Sequence, residues 1–304
     1  MSVVLVTGAA GALGSRLARR LLDGHPDIDV IGLDVLASDG PEGGRGYRFF
    51  QVPFGGPFPT AARAALRSVT HVAHLAAVMS VSTGPPGGRW TSLADPVQDL
   101  RRLLASAPML RHIVFASSYM VYATPPPDPI TEDAPLAPLN AYGWGKCAVE
   151  EYLECQPVAA CRLRLAGVYG PGVALDQGRS VTEVMRAAVR QGTLSLHLPG
   201  TGLRSHLYID DAVEALCRAV VEGWCGRYNV AGPTPVSVRD VVALTAEAAR
   251  RPVRVEWSDG PPGWDAVLST AALDQAYGFR ATTGPREGLD AYYRWATTLP
   301  REVR

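Results

Sequence analysis

The stretch "VVLVTGAAGALGSRLARRLLDG", residues 3–24, joins a short apolar run to a helical pattern through a glycine-rich turn. The run Val3–Thr7 is rich in β-branched residues, which is typical of a buried strand. From Ala12 onward leucines recur every four residues, arginines occupy another face, and Gly24 ends the pattern. The chain is therefore predicted to open with a strand, a tight turn and a helix.

The turn carries glycines at Gly8, Gly11 and Gly14. Such a turn lets the backbone approach a pyrophosphate, whose charge is met by the start of the following helix. Asp34 ends the next apolar run, 20 residues after Gly14, where its carboxylate can accept hydrogen bonds from the adenosine ribose. The same carboxylate would repel a 2′-phosphate, which predicts NAD rather than NADP. The arginines of the next loop would weaken that preference if the loop folded back.

Short apolar runs alternate with helical patterns through the first half of the chain. Further runs are found at residues 71–77 and 112–118, and the segment at 159–172 contains another strand. This alternation predicts a parallel sheet covered by helices on both faces. After residue 167 proline and glycine become frequent and the pattern less regular. We expect an α/β protein with a Rossmann-type doubly wound parallel sheet and a smaller, mixed α+β C-terminal substrate lobe.

The segment "NAYGWGKCAVE", residues 140–150, contains the only lysine of the chain, Lys146, four residues after Tyr142. On a helix this spacing places both side chains on one face. A tyrosine with its ordinary pKa of about 10 is a poor base at neutral pH, and a nearby cation lowers that pKa by about 1–3 units. Lysine supplies a compact charge that arginine does not. The pair is therefore predicted to move a proton.

A pair of serines, Ser117 and Ser118, ends the apolar run at residues 112–118. The carboxyl end of a parallel strand lies in the same crevice as the glycine turn. A serine hydroxyl there can bond a substrate carbonyl or alcohol oxygen.

The overall charge and the cysteines exclude several classes of partner. The formal net charge is zero and the sequence pI is about 7.0, which gives no electrostatic basis for binding nucleic acid or an anionic membrane. No apolar run approaches the ~18 residues of a membrane span. The five cysteines lack metal-ligand spacing, so we expect reduced thiols in a cytoplasmic protein and no metal. The expected partner is a small-molecule substrate.

Seven segments in this order resemble the extended short-chain dehydrogenase/reductase family, the NAD-dependent epimerase/dehydratase group. They are "TGAAGALG" (7–14), Asp34, "HLAA" (74–77), "SSYMVY" (117–122), "YGWGK" (142–146), "RLAGVYGPG" (164–172) and "GTGLRSHLYIDDAVEA" (200–215). The resemblance implies an NAD-binding domain over residues 1–166, completed by 206–231, and a substrate lobe from 167–205 and 232–304. It also implies a homodimer through helices 93–106 and 140–155.

The resemblance further implies the role of each site residue. Tyr142 shuttles the substrate's hydroxyl proton, Ser118 orients the oxygen, and Lys146 holds the nicotinamide ribose and favours the phenolate. The residues implied in cofactor binding are Gly8, Gly11, Ala12, Leu13, Gly14, Asp34, Leu75, Ala76, Ala77, Tyr142 and Lys146. Those implied in substrate binding are Val78, Ser118, Tyr119, Gly167 and Arg204.

Departures from the family pattern reduce the number of possible reactions and substrates. Residues 118–120 are Ser-Tyr-Met where nucleotide-sugar 4,6-dehydratases carry Thr-Asp-Glu, which disfavours water elimination. Gly167 stands where sugar-nucleotide enzymes usually have asparagine, and Arg204 alone remains as a partner for a diphosphate or carboxylate. The family's acidic residue at the adenine is absent from "FFQVPFGG", residues 49–56.

The sequence leaves three functions open. The first is a nucleotide-sugar epimerase or ketoreductase, which the residues do not separate. The second is a dehydrogenase or reductase of a non-nucleotide sugar, uronic acid, cyclitol or natural-product ketone. The third is a catalytically silent dinucleotide sensor, against which the presence of both Tyr142 and Lys146 argues.

Overall fold

The computed structural model describes residues 2–38, 46–53, 55–77, 96–123, 128–176, 180–196, 199–259 and 264–300. In chain order the strands are β1 (Ser2–Thr7), β2 (Ile28–Asp34), β3 (Tyr47–Gln51), β4 (His71–His74), β5 (His112–Ser118), β6 (Ala159–Leu165), β7 (Gly167–Tyr169), β8 (Thr193–Leu196), β9 (Leu203–Arg204), β10 (His206–Tyr208), β11 (Gly226–Val230), β12 (Val236–Ser237) and β13 (Arg254–Trp257). The helices are α1 (Ala12–Gly24), α2 (Thr60–Leu66), α3 (Pro96–Ser106), α4 (Ala141–Glu154), α5 (Ser180–Arg190), α6 (Ile209–Val221), α7 (Val238–Ala249), α8 (Ala271–Tyr277) and α9 (Pro285–Thr298), with a 3₁₀ turn over Tyr119–Val121.

Seven strands form the main sheet, in the order β11-β6-β5-β4-β1-β2-β3. The neighbours from β5 to β3 pair in parallel. Strand order reverses at β1, which lies between β2 and β4, and in such sheets ligands bind outside the carboxyl ends of the strands at this point. The prediction of a doubly wound parallel sheet is confirmed.

Helices cover both faces of this sheet, because its strands are apolar on both sides. One face packs side chains such as Leu5, Ile31 and Ile113 against helices α2, α3 and α4. On α1, the helix that follows the glycine turn, Leu17 and Leu21 are fully buried. Arg20 of α1 pairs with Glu214 of α6 at 2.7 Å. No helix in the described part of the chain is long and apolar enough to cross a membrane.

The chain divides into two compact units. The first consists of residues 1–124, 135–164 and 213–228, and the second of residues 125–134, 165–212 and 229–304. The second unit contains three two-stranded pairs, β7–β10, β9–β12 and β8–β13. Its helix α7 has Ser237 as N-cap, and the side chains of Ser237 and Asp240 form a capping box.

Three local predictions need correction. The strand predicted over residues 71–77 ends at His74, because the chain leaves the ladder beside the glycine turn. The segment at 159–172 contains two strands instead of the one predicted: β6 ends at Leu165, and Gly167 starts β7, which pairs with β10 in a separate sheet. Residues 47–51, to which the sequence assigned no element, form the edge strand β3.

Candidate active site

The glycine turn is held tightly between β1 and the start of α1. Gly8 has a φ of +73° and donates to the carbonyl of Leu33 at 2.9 Å. A Cβ added at Gly14 would overlap the carbonyl oxygen of Gly8, so a larger residue there would push the helix off the turn. Gly11 is the N-cap of α1 and supplies no side-chain cap. The first N–H groups of the helix therefore depend on another acceptor, as at a phosphate-binding helix start.

Asp34 lies beside this turn at the carboxyl end of β2. Its Oδ2 accepts from the amide of Ala10 at 2.9 Å and its Oδ1 from the amide of Leu36 at 3.0 Å. These bonds fix the orientation of the carboxylate. Each oxygen has a second lone pair that can accept from a ribose hydroxyl.

A cavity of about 430 Å³ in the first unit joins the glycine turn, Asp34 and the start of α4. The predicted site residues that line it are Gly8, Gly11, Asp34, Leu75, Ala76, Ala77, Tyr142 and Lys146. Three further predicted residues, Ala12, Leu13 and Gly14, form the first turn of α1 and lie outside the lining.

Tyr142 and Lys146 form one wall of the cavity, on a helix whose N-cap is Asn140. Lys146 is buried, and its Nζ donates to the carbonyl of Ala116 on β5 at 2.6 Å. The same Nζ lies 4.6 Å from the ring centroid of Phe115 and 5.5 Å from that of Tyr142. Burial lowers the pKa of Lys146 to about 8, although the nearby Glu150 carboxylate acts in the opposite direction.

Ser118 ends β5 and caps the 3₁₀ turn that begins at Tyr119. Its Oγ accepts from the amide of Met120 at 3.2 Å, and the residue is buried, outside the lining of the cavity. Helix α4 packs closely on this turn, because a Cβ added at Gly143 would overlap the carbonyl oxygen of Met120. The turn after Ser118 and the start of α4, which carries Tyr142, are thereby in contact.

Ser117 and Ser118 have different surroundings. The Ser117 hydroxyl donates to Oε1 of Glu150, whose carboxylate also receives Arg164 Nη2 at 2.7 Å and Nε at 3.1 Å. Arg164 further donates to the hydroxyl of Tyr122 at 3.0 Å. All four side chains of this network are buried. Ser117 is therefore committed to the network, which leaves Ser118 as the candidate for contact with substrate.

His74 is a cavity residue that the sequence interpretation did not single out within "HLAA". Its Nδ1 lies 2.8 Å from Oγ1 of Thr7, and that hydroxyl accepts from the amide of Ala76 at 3.1 Å. Burial, and then the charge of Lys146, lower the pKa of His74 to about 3. The ring is therefore neutral and ties the ends of β1 and β4 together.

Of the remaining predicted substrate residues, Tyr119 begins the 3₁₀ turn after β5 in the first unit, and the others lie in the second unit or outside the described chain. Gly167 starts β7 and pairs in register with His206 of β10. Arg204 donates from Nη1 to the carbonyl of Leu203 at 2.8 Å and to that of Trp264. Val78 lies outside the described residues. A role for these four in binding substrate stays a prediction.

Comparison with known proteins identifies the family. Residues 4–231 match the model of the NAD-dependent epimerase/dehydratase family. The chain is 32% identical to UDP-glucose 4-epimerase of Mycolicibacterium smegmatis over 275 residues, which cover 83% of this chain and 84% of that protein. It is 28% identical to dTDP-glucose 4,6-dehydratase of Streptomyces griseus over 319 residues, 96% and 93% of the two chains.

The fold is also found in a solved structure. MoeE5, in complex with UDP-glucose and NAD, superposes with a TM-score of 0.81 at 27% identity, covering 98% of this chain and 99% of that one. The tight glycine turn and the oriented carboxylate of Asp34 suit a dinucleotide. The chain belongs to the NAD-dependent epimerase/dehydratase family, as an enzyme of the extended short-chain dehydrogenase/reductase type whose cofactor is NAD.

Proposed function

We propose that this enzyme is a nucleotide-sugar epimerase that inverts a carbon bearing a secondary alcohol. One observation carries the proposal: Tyr142 and Lys146 line the same cavity as the glycine turn and Asp34. A proton-transfer pair and a dinucleotide site in one cavity are what hydride chemistry at an alcohol requires. The similarity to a UDP-glucose 4-epimerase and to a protein solved with UDP-glucose and NAD supports a sugar nucleotide as substrate.

Each catalytic side chain has a distinct task. The glycine turn and Asp34 would hold NAD, which would supply a hydride acceptor for the alcohol carbon and, in an epimerase, a hydride donor to the opposite face of that carbon. Tyr142, as the phenolate, takes the hydroxyl proton and later gives it back. Ser118 donates a hydrogen bond to the same oxygen and orients it.

Lys146 supplies a positive charge beside Tyr142. With a pKa of about 8 the ammonium is largely protonated at pH 7. A positive charge next to the Tyr142 ring favours the deprotonated phenol. One of the three ammonium N–H groups is used by Ala116, and we assign another to a ribose hydroxyl of the cofactor.

The residues after β5 favour epimerisation over water elimination. Eliminating water from a sugar requires an acid and a base in addition to the tyrosine, and residues 118–120 are Ser-Tyr-Met. Because the chain is also similar to a 4,6-dehydratase, the absence of water elimination remains a prediction. A product that has lost water would contradict it.

The test is incubation with NAD and a panel of UDP- and dTDP-hexoses, followed by proton NMR of the anomeric signals. We expect an epimer without net formation of NADH. Tyr142→Phe should lower turnover by at least about 10²-fold, since it removes a general acid–base. Trp144→Phe, an exposed position on the same helix, is the matched control and should leave turnover unchanged. Full turnover by Tyr142→Phe would contradict the proposal.

A second candidate is an oxidoreductase of a non-nucleotide sugar, uronic acid, cyclitol or natural-product ketone. The observation that favours it is that Nη1 of Arg204 is bonded to two backbone carbonyls, while Gly167 has no side chain. Thermal-shift measurements with UDP, dTDP and GDP against free uronic acids separate the two. Stabilisation by a nucleoside diphosphate would defeat this second candidate.

A further inference from the structure

The cavity continues beyond Asp34, away from Tyr142 and Lys146. Val52 donates from its amide to the carbonyl of Asp34 at 2.7 Å, so the segment after β3 starts directly beside the carboxylate assigned to the ribose. A dinucleotide whose adenosine ribose is held at Asp34 must place its base in this end of the cavity. The lining there consists of Val52, Pro53, Gly56 and Phe58 from that segment, and of Asp99, Arg102 and Leu103 from α3.

Most of these surfaces are apolar, as a planar base requires. Phe58 packs against the hydrophobic core and Leu103 belongs to it. Asp99 and Arg102 are the ionisable residues among the seven lining residues of this end. They are therefore the side chains of this lining that can form a charge-assisted hydrogen bond with the edge of a base.

Arg102 holds the Asp99 carboxylate in a defined place. Its Nη2 bonds Oδ1 of Asp99 at 2.8 Å, and its Nη1 donates to the carbonyls of Gly55 and Gly56, the latter at 3.2 Å. The guanidinium thereby ties α3 to the turn after β3. The Asp99 side chain is 22% exposed, which shields a hydrogen bond at this position from competition by water.

Adenine and an ionised carboxylate are complementary. The exocyclic amino group of adenine only donates hydrogen bonds, and an ionised carboxylate only accepts them. An ionised carboxylate has about four acceptor sites, so the bond with Arg102 leaves Asp99 with capacity to accept from a base. We propose that Asp99 accepts a hydrogen bond from the adenine amino group of NAD, and that Arg102 is the residue that positions Asp99. The proposal concerns the cofactor and is independent of which sugar the enzyme converts.

The probe is nicotinamide hypoxanthine dinucleotide, which carries a carbonyl oxygen where NAD has the amino group. The protein is equilibrated with an excess of both dinucleotides at equal concentrations and is then desalted. The amount of each dinucleotide that stays bound is measured by chromatography. We expect the wild type to retain NAD over the analogue by about tenfold or more, the value of a hydrogen bond to a charged group. Asp99→Asn should reduce this ratio to near one, because an amide can both donate and accept.

Two variants separate recognition from general damage to the site. Asp34→Asn should weaken binding of both dinucleotides alike, because they share the ribose. Arg102→Gln should lower the ratio without reversing it, since Asp99 stays but loses its anchor. A wild type that binds both dinucleotides equally would overturn the proposal, and so would a folded Asp99→Asn with the wild-type ratio. If Asp99→Asn does not fold, the wild-type ratio decides alone.

Discussion

Lys146 and Glu150 lie one helical turn apart on the buried face of α4, and each fixes the helix to a different strand. Lys146 reaches the carbonyl of Ala116 on β5, and Glu150 forms a bidentate pair with Arg164 on β6. Two opposite charges are thus buried on one helix. Among the described residues, the carboxylate has a partner of opposite charge at hydrogen-bonding distance and the ammonium has none, which makes Lys146 the energetically unfavourable member.

The first prediction concerns the energetic effect of burying Lys146. Its pKa falls from 10.5 to about 8 on folding, which corresponds to about 3 kcal/mol of lost stability when the lysine is charged in both states. Removing the ammonium also removes the bond to Ala116, worth about 1 kcal/mol. Lys146→Met should therefore be about 2 kcal/mol more stable at pH 7, while it loses turnover.

The pH dependence tests the cause. Between pH 8 and 10.5 the unfolded chain binds the lysine proton and the folded chain does not, so wild-type stability rises with pH relative to the variant. Urea unfolding of both proteins from pH 7 to 10.5 measures this difference. A stability difference that stays constant across this range would contradict the burial of a charged lysine.

The second prediction concerns the pair of Glu150 and Arg164. Glu150→Gln leaves a buried guanidinium without its counter-charge and should destabilise the protein by about 3–5 kcal/mol. Glu154→Gln, one turn later on α4, removes a half-exposed partner of Arg162 and should change stability by less than about 1 kcal/mol.

A double variant distinguishes charge from packing. Glu150→Met with Arg164→Met removes both charges and keeps apolar volume, so most of the stability should return. Denaturant unfolding of the single and double variants completes the cycle. Equal losses for Glu150→Gln and Glu154→Gln would show that burial of this pair has no special effect.

The third prediction concerns two glycines on either side of Trp144. A Cβ at Gly143 would overlap the carbonyl of Met120 and come within 2.6 Å of Pro138 Cβ, whereas at Gly145 its nearest contact is Pro96 Cγ at 3.5 Å. Gly143→Ala should therefore destabilise the protein by about 1–3 kcal/mol and lower turnover, because α4 must shift away from the turn after Ser118.

Gly145→Ala is the matched control for that substitution. It should be neutral or stabilise the protein by up to about 1 kcal/mol, since alanine is the better helix former. Thermal unfolding of both variants measures the contrast. A Gly143→Ala protein as stable and as active as Gly145→Ala would show that the close approach of α4 has no influence on the site.

The sequence predicted those parts of the protein whose pattern is local. The strand, glycine turn and helix over residues 3–24 are such a part, and so is the helix with Tyr142 and Lys146, because backbone requirements and helical spacing show in adjacent residues. Strand β3 follows a glycine-rich stretch and lies at the sheet edge, where its sequence "YRFFQ" lacks alternation. That strand was therefore missed.

The polar partnerships could not be predicted in the same way. Thr7 and His74 are 67 residues apart, and neither the Glu150–Arg164 pair nor Arg102 with Gly56 follows from any local pattern. Each partnership depends on which strands and helices become neighbours. The sequence indicated that the segment after β3 lacks the family's acidic residue at the adenine. The position of Asp99 in the cavity, by contrast, could be found only from the fold.

The last prediction concerns His74. Because its ring is neutral in the folded protein, the stability of the fold should fall in acid. Its pKa is about 3 in the folded protein and about 6.5 unfolded, so between these values only the unfolded chain binds the proton, and stability falls as pH decreases. At pH 5 the loss is about 2 kcal/mol. His74→Asn keeps a hydrogen-bond partner for Thr7 but does not titrate. Above pH 7 the free energies of unfolding of wild type and variant should therefore differ by a constant. At pH 5 this difference should have changed by about 2 kcal/mol. Urea unfolding at pH 7.5 and pH 5 measures both values. Parallel pH profiles for the two proteins would mean that the histidine is protonated in the fold or accessible to water.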